Sequence, residues 1–527
     1  RFFSALVRIQ RDRGHRVVNT GPYRVLRHPG YAGSITTMFG AALALGSRWA
    51  LGVAAAVSVL LLVVAGAYGF HRDELYFVIA GRHPALGYVD QPPLTPILSA
   101  VAVAIFGPTP IAVRILPALS AGLTVAMCAD MARRFGGGQV AQVIAAVTVA
   151  ATGLLAVSHL ASTTTYDLFA WTLVLWLAVR LLAGGDRRLW LALGLAAGLG
   201  LENKYIIAFL GVGLAVGIVL SRRWDVLRSR WAWAAIGIAL LIWLPNLAWQ
   251  AANDWPQLDM ARVLAARARA ERGTFLLELL LIGGTFLAFV PIIGTVRLLV
   301  ARDARPWRAI GWASIVVVVI VVATSGKSYY MAGILPVLIA AGAVPIERWI
   351  GRGRTLARPI AFGAAALVAG ALMVILALPI VPVASLASTP IPEIYNEASE
   401  QVGWPELVAT VRSVVDELPA AERERAVILT ANYAEAGALE LLGGDLPPVF
   451  SGHNGYWDWG PPPAGSSVGI IVAGGGWRTT GASDCTTEGK VDNGVGVENE
   501  EQGTAIRVCR RMPSDWGRVW PQLRHLD

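Results

Sequence analysis

Charge is what this 527-residue chain has least of. Only 15% of its residues are charged while 55% are hydrophobic, a shortage that excludes a soluble protein of this length and implies repeated membrane spans. Cysteine is nearly absent too. Of the three present, Cys128 lies in an apolar run, so no zinc-type or redox pair involving it is visible, and Cys485 with Cys509 remains as a disulfide pair. The glycines of "GGGW", 474–477, lack the Lys and Ser/Thr that a phosphate loop needs. A cleavable signal peptide is not evident, and the chain opens on Arg1 rather than Met, so its natural start is expected upstream. Net charge is +9, yet the arginines fall in short clusters between apolar segments, the pattern that orients a membrane protein, and nucleic acid is excluded as a partner.

Apolar segments suited to about 30 Å of hydrocarbon run near 50–69, 109–130, 139–158, 164–183, 188–201, 205–221, 231–250, 275–299, 309–325, 329–346 and 359–384, about eleven transmembrane helices. Arginine clusters at 133–134, 180–188, 222–230, 297–308 and 348–358 occupy every second loop. The positive-inside rule puts these in the cytoplasm. Outside it leaves 70–108, 158–165, the turn at Glu202, 251–274, the turn at Lys327 and everything after 385. The loop 251–274 breaks the pattern with Arg262, Arg267, Arg269 and Arg272, and two readings stand: contact with anionic lipid phosphate, or an amphipathic surface helix.

The acids collect on the outer side. "YGFHRDELYFVIAGRHPALGYVDQPPL", 68–94, carries Arg72, Asp73, Glu74 and Asp90, and Asp167 opens the run "LFAWTLVLWLAV" at the outer end of a helix. Lys204 in "LENKYIIAF" and Lys327, Tyr329 and Tyr330 in "TSGKSYYMAGILP" stand on the same face. Acids with lysines and tyrosines at one membrane surface suit a reaction that activates a hydroxyl while neutralising a departing phosphate. A lipid-linked sugar flippase or transporter is the competing class, but it should place its acids or broken helices midway through the spans.

"RDELYFVIAGRHPALGYVDQPPL" resembles the first external loop of family 39 glycosyltransferases, which include protein O-mannosyltransferases and lipid A aminoarabinose transferases. The "DE" after the first span, the "PP" opening the next segment, the acid at the start of a later span, and the turn of Lys327, Tyr329 and Tyr330 before "LPVLIAAGA" recur in that order over roughly 55–527. "VILTANYAEAGALELLG" and "SGHNGYWDWGP" resemble the external tail of a bacterial branch. The resemblance implies a GT-C fold, residence in the plasma membrane, and inverting transfer of a sugar from a polyprenyl-phosphate donor to an acceptor hydroxyl outside the membrane. By position, Asp73 matches the catalytic base, Glu74 would orient the acceptor, and Asp167 matches a second acid of the cavity. Lys204, Lys327 and Tyr330 would contact the donor phosphate, with Tyr329 beside them and Arg72 and Asp90 as second choices. Where the aminoarabinose transferases carry Glu-Lys this chain has "VDQPP", so their metal site does not carry over; a divalent ion stays open and no cofactor is assigned.

"VVNTGPYRVLRHPGYAGSITTMFGAALALGS", 17–47, resembles the S-adenosylmethionine-binding segment of isoprenylcysteine carboxyl methyltransferases, with His28 and Tyr31 matching its Arg-His-Pro-x-Tyr element. The rest of that core is cut off, so the segment reads as a fused remnant, with S-adenosylmethionine-dependent methyl transfer through it as an alternative function. The expected organisation is a remnant at 1–48, a GT-C transmembrane domain at 49–384 and a small extracytoplasmic α/β domain at 385–527. In that tail "RAVILT" and "SVGIIVAGGG" read as buried strands and "NYAEAGALELLG" as a helix ending at Gly443. Tyr456, Trp457 and Trp459 suit either stacking on a sugar or packing at the membrane interface.

Overall fold

The computed structural model describes residues 47–270, 273, 275–353, 355–473 and 481–526. His28, Tyr31 and the "GGGW" loop lie outside them. All eleven apolar segments are helical. In chain order the principal helices are α1 (Arg48–Val64), α2 (Arg72–Ala80), α3 (Leu94–Phe106), α4 (Pro110–Arg134), α5 (Gln139–Ala150), α6 (Thr163–Leu182), α7 (Leu189–Leu201), α8 (Ile207–Leu220), α9 (Arg230–Ala252), α10 (Pro256–Ala270), α11 (Phe289–Val300), α12 (Arg308–Ala323), α13 (Leu335–Gly351) and α14 (Ala357–Ala377). Among the described residues six stretches are long and apolar enough to cross a membrane by themselves: Pro110–Arg134, Thr163–Leu182, Arg230–Ala252, Arg305–Ala323, Ser328–Gly351 and Ala357–Ala377. The other five segments are shorter, and two of them break, at 151–153 and 283–288.

The spans pack through small residues, as lipid-embedded helices must when no hydrophobic force drives them together. Gly213 and Gly217 on α8 lie against the backbone of Ala313 and Ala309 on α12, where a Cβ on Gly217 would collide with the Ala309 carbonyl. The same reciprocal approach joins α11 to α13 through Gly294 and Gly342.

One end of the bundle is basic. Asp130, fully buried, takes Arg133 and Arg134, each at 2.6 Å, and the indole of Trp176 at 2.8 Å. Arg223 reaches the Leu182 and Pro306 carbonyls, and Arg297 and Arg348 share Asp303. The opposite end carries α2 and α3, two helices inside what the hydropathy pattern leaves as an external loop. At 13 residues, α3 is about 20 Å long, too short to cross.

The tail sits on that second end. After α15 (Trp404–Glu417) come β1 (Ala426–Thr430), α16 (Tyr433–Leu442), β2 (Val449–Ser451), β3 (Val468–Ala473), β4 (Ser483–Lys490) and β5 (Ala505–Arg511), in a sheet of order β2-β1-β3-β5-β4. The first three are parallel; β4 and β5 form an antiparallel extension. "RAVILT", "NYAEAGALELLG" and "SVGIIVAGGG" become β1, α16 and β3, with Gly443 at the helix end. The exposed, polar β4 has no apolar run to announce it. Cys485 and Cys509, opposite one another on β4 and β5, are bonded. The sheet core is continuous with the membrane end: Leu75 and Val78 of α2 and Val113 of α4 pack with Trp404, Ile428, Ala438 and Ile470.

With the arginine end in the cytoplasm, a cysteine substituted for Ala85 is expected to react with a membrane-impermeant maleimide on intact cells. One substituted for Ala183, next to the Arg223 contact, should react only after permeabilisation. The opposite labelling pattern would invert the orientation.

Candidate active site

The break after α1 builds the site. The chain leaves α1 at Ala65, runs through 66–71 and re-enters helix at Arg72, with His71 as N-cap. His71 Nδ1 accepts from the Asp73 amide at 3.2 Å, and Glu74 accepts from the His71 amide at 2.9 Å, a reciprocal capping box. Asp73 therefore stands in the first turn, where the helix dipole favours a carboxylate.

Asp73 and Glu74, neighbours in sequence, part company here. Glu74 has no exposure, and Arg114 of α4 clasps it at 2.7 and 2.9 Å while the Ala161 amide donates to it at 2.9 Å. Burial raises its pKa, but the Arg114 charge and hydrogen bonds outweigh that and hold it below the usual carboxylate range. With its oxygens so engaged Glu74 does not line the cavity, and its action is on the position of α2 rather than on an acceptor hydroxyl. Asp73 does line it. Its Oδ1 accepts the Tyr433 hydroxyl at 2.8 Å, a contact made by the tail. His71 Nε2 lies 2.6 Å from Glu397. Burial disfavours an imidazolium at His71, but Glu397 overrides it and draws the pKa up to about 8.

The cavity measures about 440 Å³. Asp73, His71, Glu397, Lys327, Tyr329 and Thr164 line it together with the apolar side chains of Ile282, Met373 and Leu376. Lys204 stands behind Thr164, donating to its Oγ1 at 3.1 Å, with its ammonium 5.1 and 5.2 Å from the Tyr329 and Tyr330 ring centres. Asp167 is buried and accepts the Trp171 indole at 3.0 Å. The sequence contains three lysines, and two of them meet here.

The remaining candidates stand apart from the cavity wall. Arg72 pairs with Glu400 and Glu500 and lies over the Tyr433 ring at 5.3 Å. Asp90 accepts the Tyr76 hydroxyl at 3.1 Å. Tyr330 lines an adjoining hollow of about 180 Å³ with Lys327, Tyr205 and Leu264 of α10. The arginine-bearing segment 251–274 is largely that helix, and its Arg269 donates to Ser325 at 3.1 Å, beside Lys327. Arg114, Glu397 and Tyr433 are the residues that motif reading missed. Among the described residues no three of His, Cys, Asp or Glu form a metal-holding group.

Residues 90–249 match the family model of dolichyl-phosphate-mannose-protein mannosyltransferases, and residues 2–68 that of phospholipid methyltransferases. The second match covers the segment read as a methyltransferase remnant. The undecaprenyl phosphate-alpha-4-amino-4-deoxy-L-arabinose arabinosyl transferase 2 of Pseudomonas fluorescens is 28% identical over 171 residues; the match covers 30% of this chain and spans 30% of that relative's length. ArnT from Cupriavidus metallidurans bound to undecaprenyl phosphate superposes with a TM-score of 0.53 at 14% identity, over 86% of this chain and 97% of that one. Its apo form gives 0.51 at 14%, over 90% and 98%. The chain thus has the polytopic GT-C membrane fold that its motifs imply, with a small mixed-sheet domain.

Two expectations follow. Arg114→Met strands a buried carboxylate and should cost about 3–5 kcal/mol, while adding Glu74→Gln should recover part of that loss; additive single effects in thermal melts would refute the pairing. Burial, with Asp73 and Asp458 adding to it, pushes the Asp90 carboxyl up to about 7 from 3.8. A raised carboxyl pKa means that the folded state holds the proton longer than the unfolded one, so stability falls as pH rises through that window. Relative to Asp90→Asn, the native protein should lose melting temperature from about pH 4 to about pH 7 and then level off; a pH-independent difference would refute this.

Proposed function

We propose that the protein transfers a sugar from a polyprenyl-phosphate donor to an acceptor hydroxyl at the extracytoplasmic face of the plasma membrane. The observation that carries this reading is one cavity lined by Asp73, by Lys327, by Thr164 with Lys204 bonded to it, and by apolar side chains of the spans. The acids of the site gather at one end of the bundle, as a transferase needs and a midplane transporter does not. That end also carries the disulfide, while the arginines occupy the other; both facts favour an outward-facing site.

The chemistry follows from the arrangement. The acceptor oxygen attacks the anomeric carbon, its proton passes to Asp73, and the bond from that carbon to the phosphate oxygen breaks on the opposite face, inverting the centre. Tyr433 occupies Oδ1 of Asp73, which leaves Oδ2 to accept the acceptor proton. Lys327 and Lys204 offset the charge that builds on the departing polyprenyl phosphate, with Tyr329 and Tyr330 around them. The apolar lining suits the isoprenoid chain, and α10 brings Arg269 to Ser325, two residues before Lys327.

Purified protein mixed with a panel of polyprenyl-phosphate sugars and hydroxyl acceptors should release polyprenyl phosphate. Asp73→Asn, which keeps size and most hydrogen bonding, should lower turnover roughly 100-fold or more while donor binding persists. Release from no donor would overturn the reaction class; near-normal turnover in the variant would overturn the base.

A further inference from the structure

A second cavity, of about 300 Å³, opens in the tail between α16, the loop to β2 and the short helix Gly455–Asp458. It shares no lining residue with the Asp73 cavity. Its walls combine flat rings with one carboxylate. Trp459 is held on one side by His83, stacked at 4.3 Å and 13°, and Tyr456 leans on it at 4.5 Å. Phe450 and Pro447 extend the apolar lining. Glu440, half-buried on α16, accepts the Tyr456 hydroxyl at 3.1 Å through Oε2; among the described residues its Oε1 takes no hydrogen bond.

We propose that this cavity binds a carbohydrate and serves as the acceptor-side subsite of the transfer reaction. Rigid aromatic faces match the C–H surface of a pyranose, and a carboxylate with a free oxygen accepts from ring hydroxyls. The volume sits at the small end of ligand pockets, about 300 Å³, which suits one or two sugar rings rather than a lipid chain. A purely apolar ligand would desolvate the second Glu440 oxygen without giving it a hydrogen-bond partner. The cavity also communicates with the reaction centre. Trp459 faces the Tyr76 ring at 6.3 Å and 27°, Tyr76 lies 4.9 Å from Tyr433, and Tyr433 donates to Asp73. Tyr76 and Asp73 are on the same helix, so a sugar held at Trp459 is fixed relative to the base.

The acceptor role rests on the transfer reaction proposed above; carbohydrate binding does not. Ligand-observed NMR on the full chain in nanodiscs, free of glycoside detergent, tests it with a panel of neutral di- to tetrasaccharides and with choline as the cationic control. Wild type should bind at least one saccharide, Trp459→Ala should weaken that binding about tenfold, and Trp459→Phe should retain most of it. Glu440→Gln keeps the shape of the wall and should weaken binding severalfold, which guards against a folding defect in the alanine variant. Binding of no saccharide, binding of choline alone, or an undiminished Trp459→Ala with undiminished Glu440→Gln overturns the site. Saccharide binding without polyprenyl phosphate release from any donor would instead remove the transfer reaction and, with it, the acceptor role.

Discussion

The site depends on one buried ion pair. Arg114 holds Glu74 and also donates to the Ala65 and Gly69 carbonyls, each at 2.8 Å, and to Gln401 at 3.1 Å. A single guanidinium thereby ties the end of the first span, the start of the helix bearing Asp73 and the beginning of the tail. Through Glu74 the bond reaches the Ala161 amide, just ahead of the span that carries Asp167. A buried pair of this kind contributes less to net stability than its geometry suggests, because desolvation offsets much of the attraction. Its effect is on uniqueness: five donors in a fixed fork admit few alternative arrangements of these strands of chain.

Around that anchor the molecule divides its charges by end. Arginine is concentrated at one end with Asp130 and Asp303 as partners, while both membrane-end lysines stand at the other with Asp73 and Asp167. Arginine's weakly hydrated fork suits the carbonyls and paired carboxylates at its end of the helices, whereas the compact ammonium of lysine suits an approaching phosphate. Between the ends, close glycine contacts let the spans approach without polar groups, and few charges remain to interrupt the apolar middle.

Much of this was legible in the sequence. The eleven apolar runs are all helices, the two buried strands and Gly443 are where the pattern puts them, and Asp73, Lys327 and Tyr329 share one cavity. The roles of Asp73 and Glu74 were not separable, since adjacent acids in one loop carry the same local signal and differ only in what the fold brings to them. A hint did exist for Glu74: Arg114 is a lone charge in "PIAVRILPALSAG", and a charge at such depth implies a partner. For Tyr433 and Glu397 there was none. Their contacts with Asp73 and His71 span most of the chain, and hydropathy carries no information about such pairings. The helix α3 was hidden differently, because an apolar stretch too short to cross resembles neither a span nor a loop.

The contact between Tyr433 and Asp73 joins residues 360 positions apart, and Arg114 reaches forward 287 positions to Gln401. Synthesis runs from the N-terminus, so Asp73 enters the membrane system long before the groups that complete its surroundings. An unfinished chain, or one whose tail has not folded, holds Asp73 without its partner Tyr433. Completion of the Asp73 cavity is thereby tied to the last stage of biogenesis, and a prematurely terminated product would present that cavity without Glu397, Tyr433 or the sheet that packs beside it.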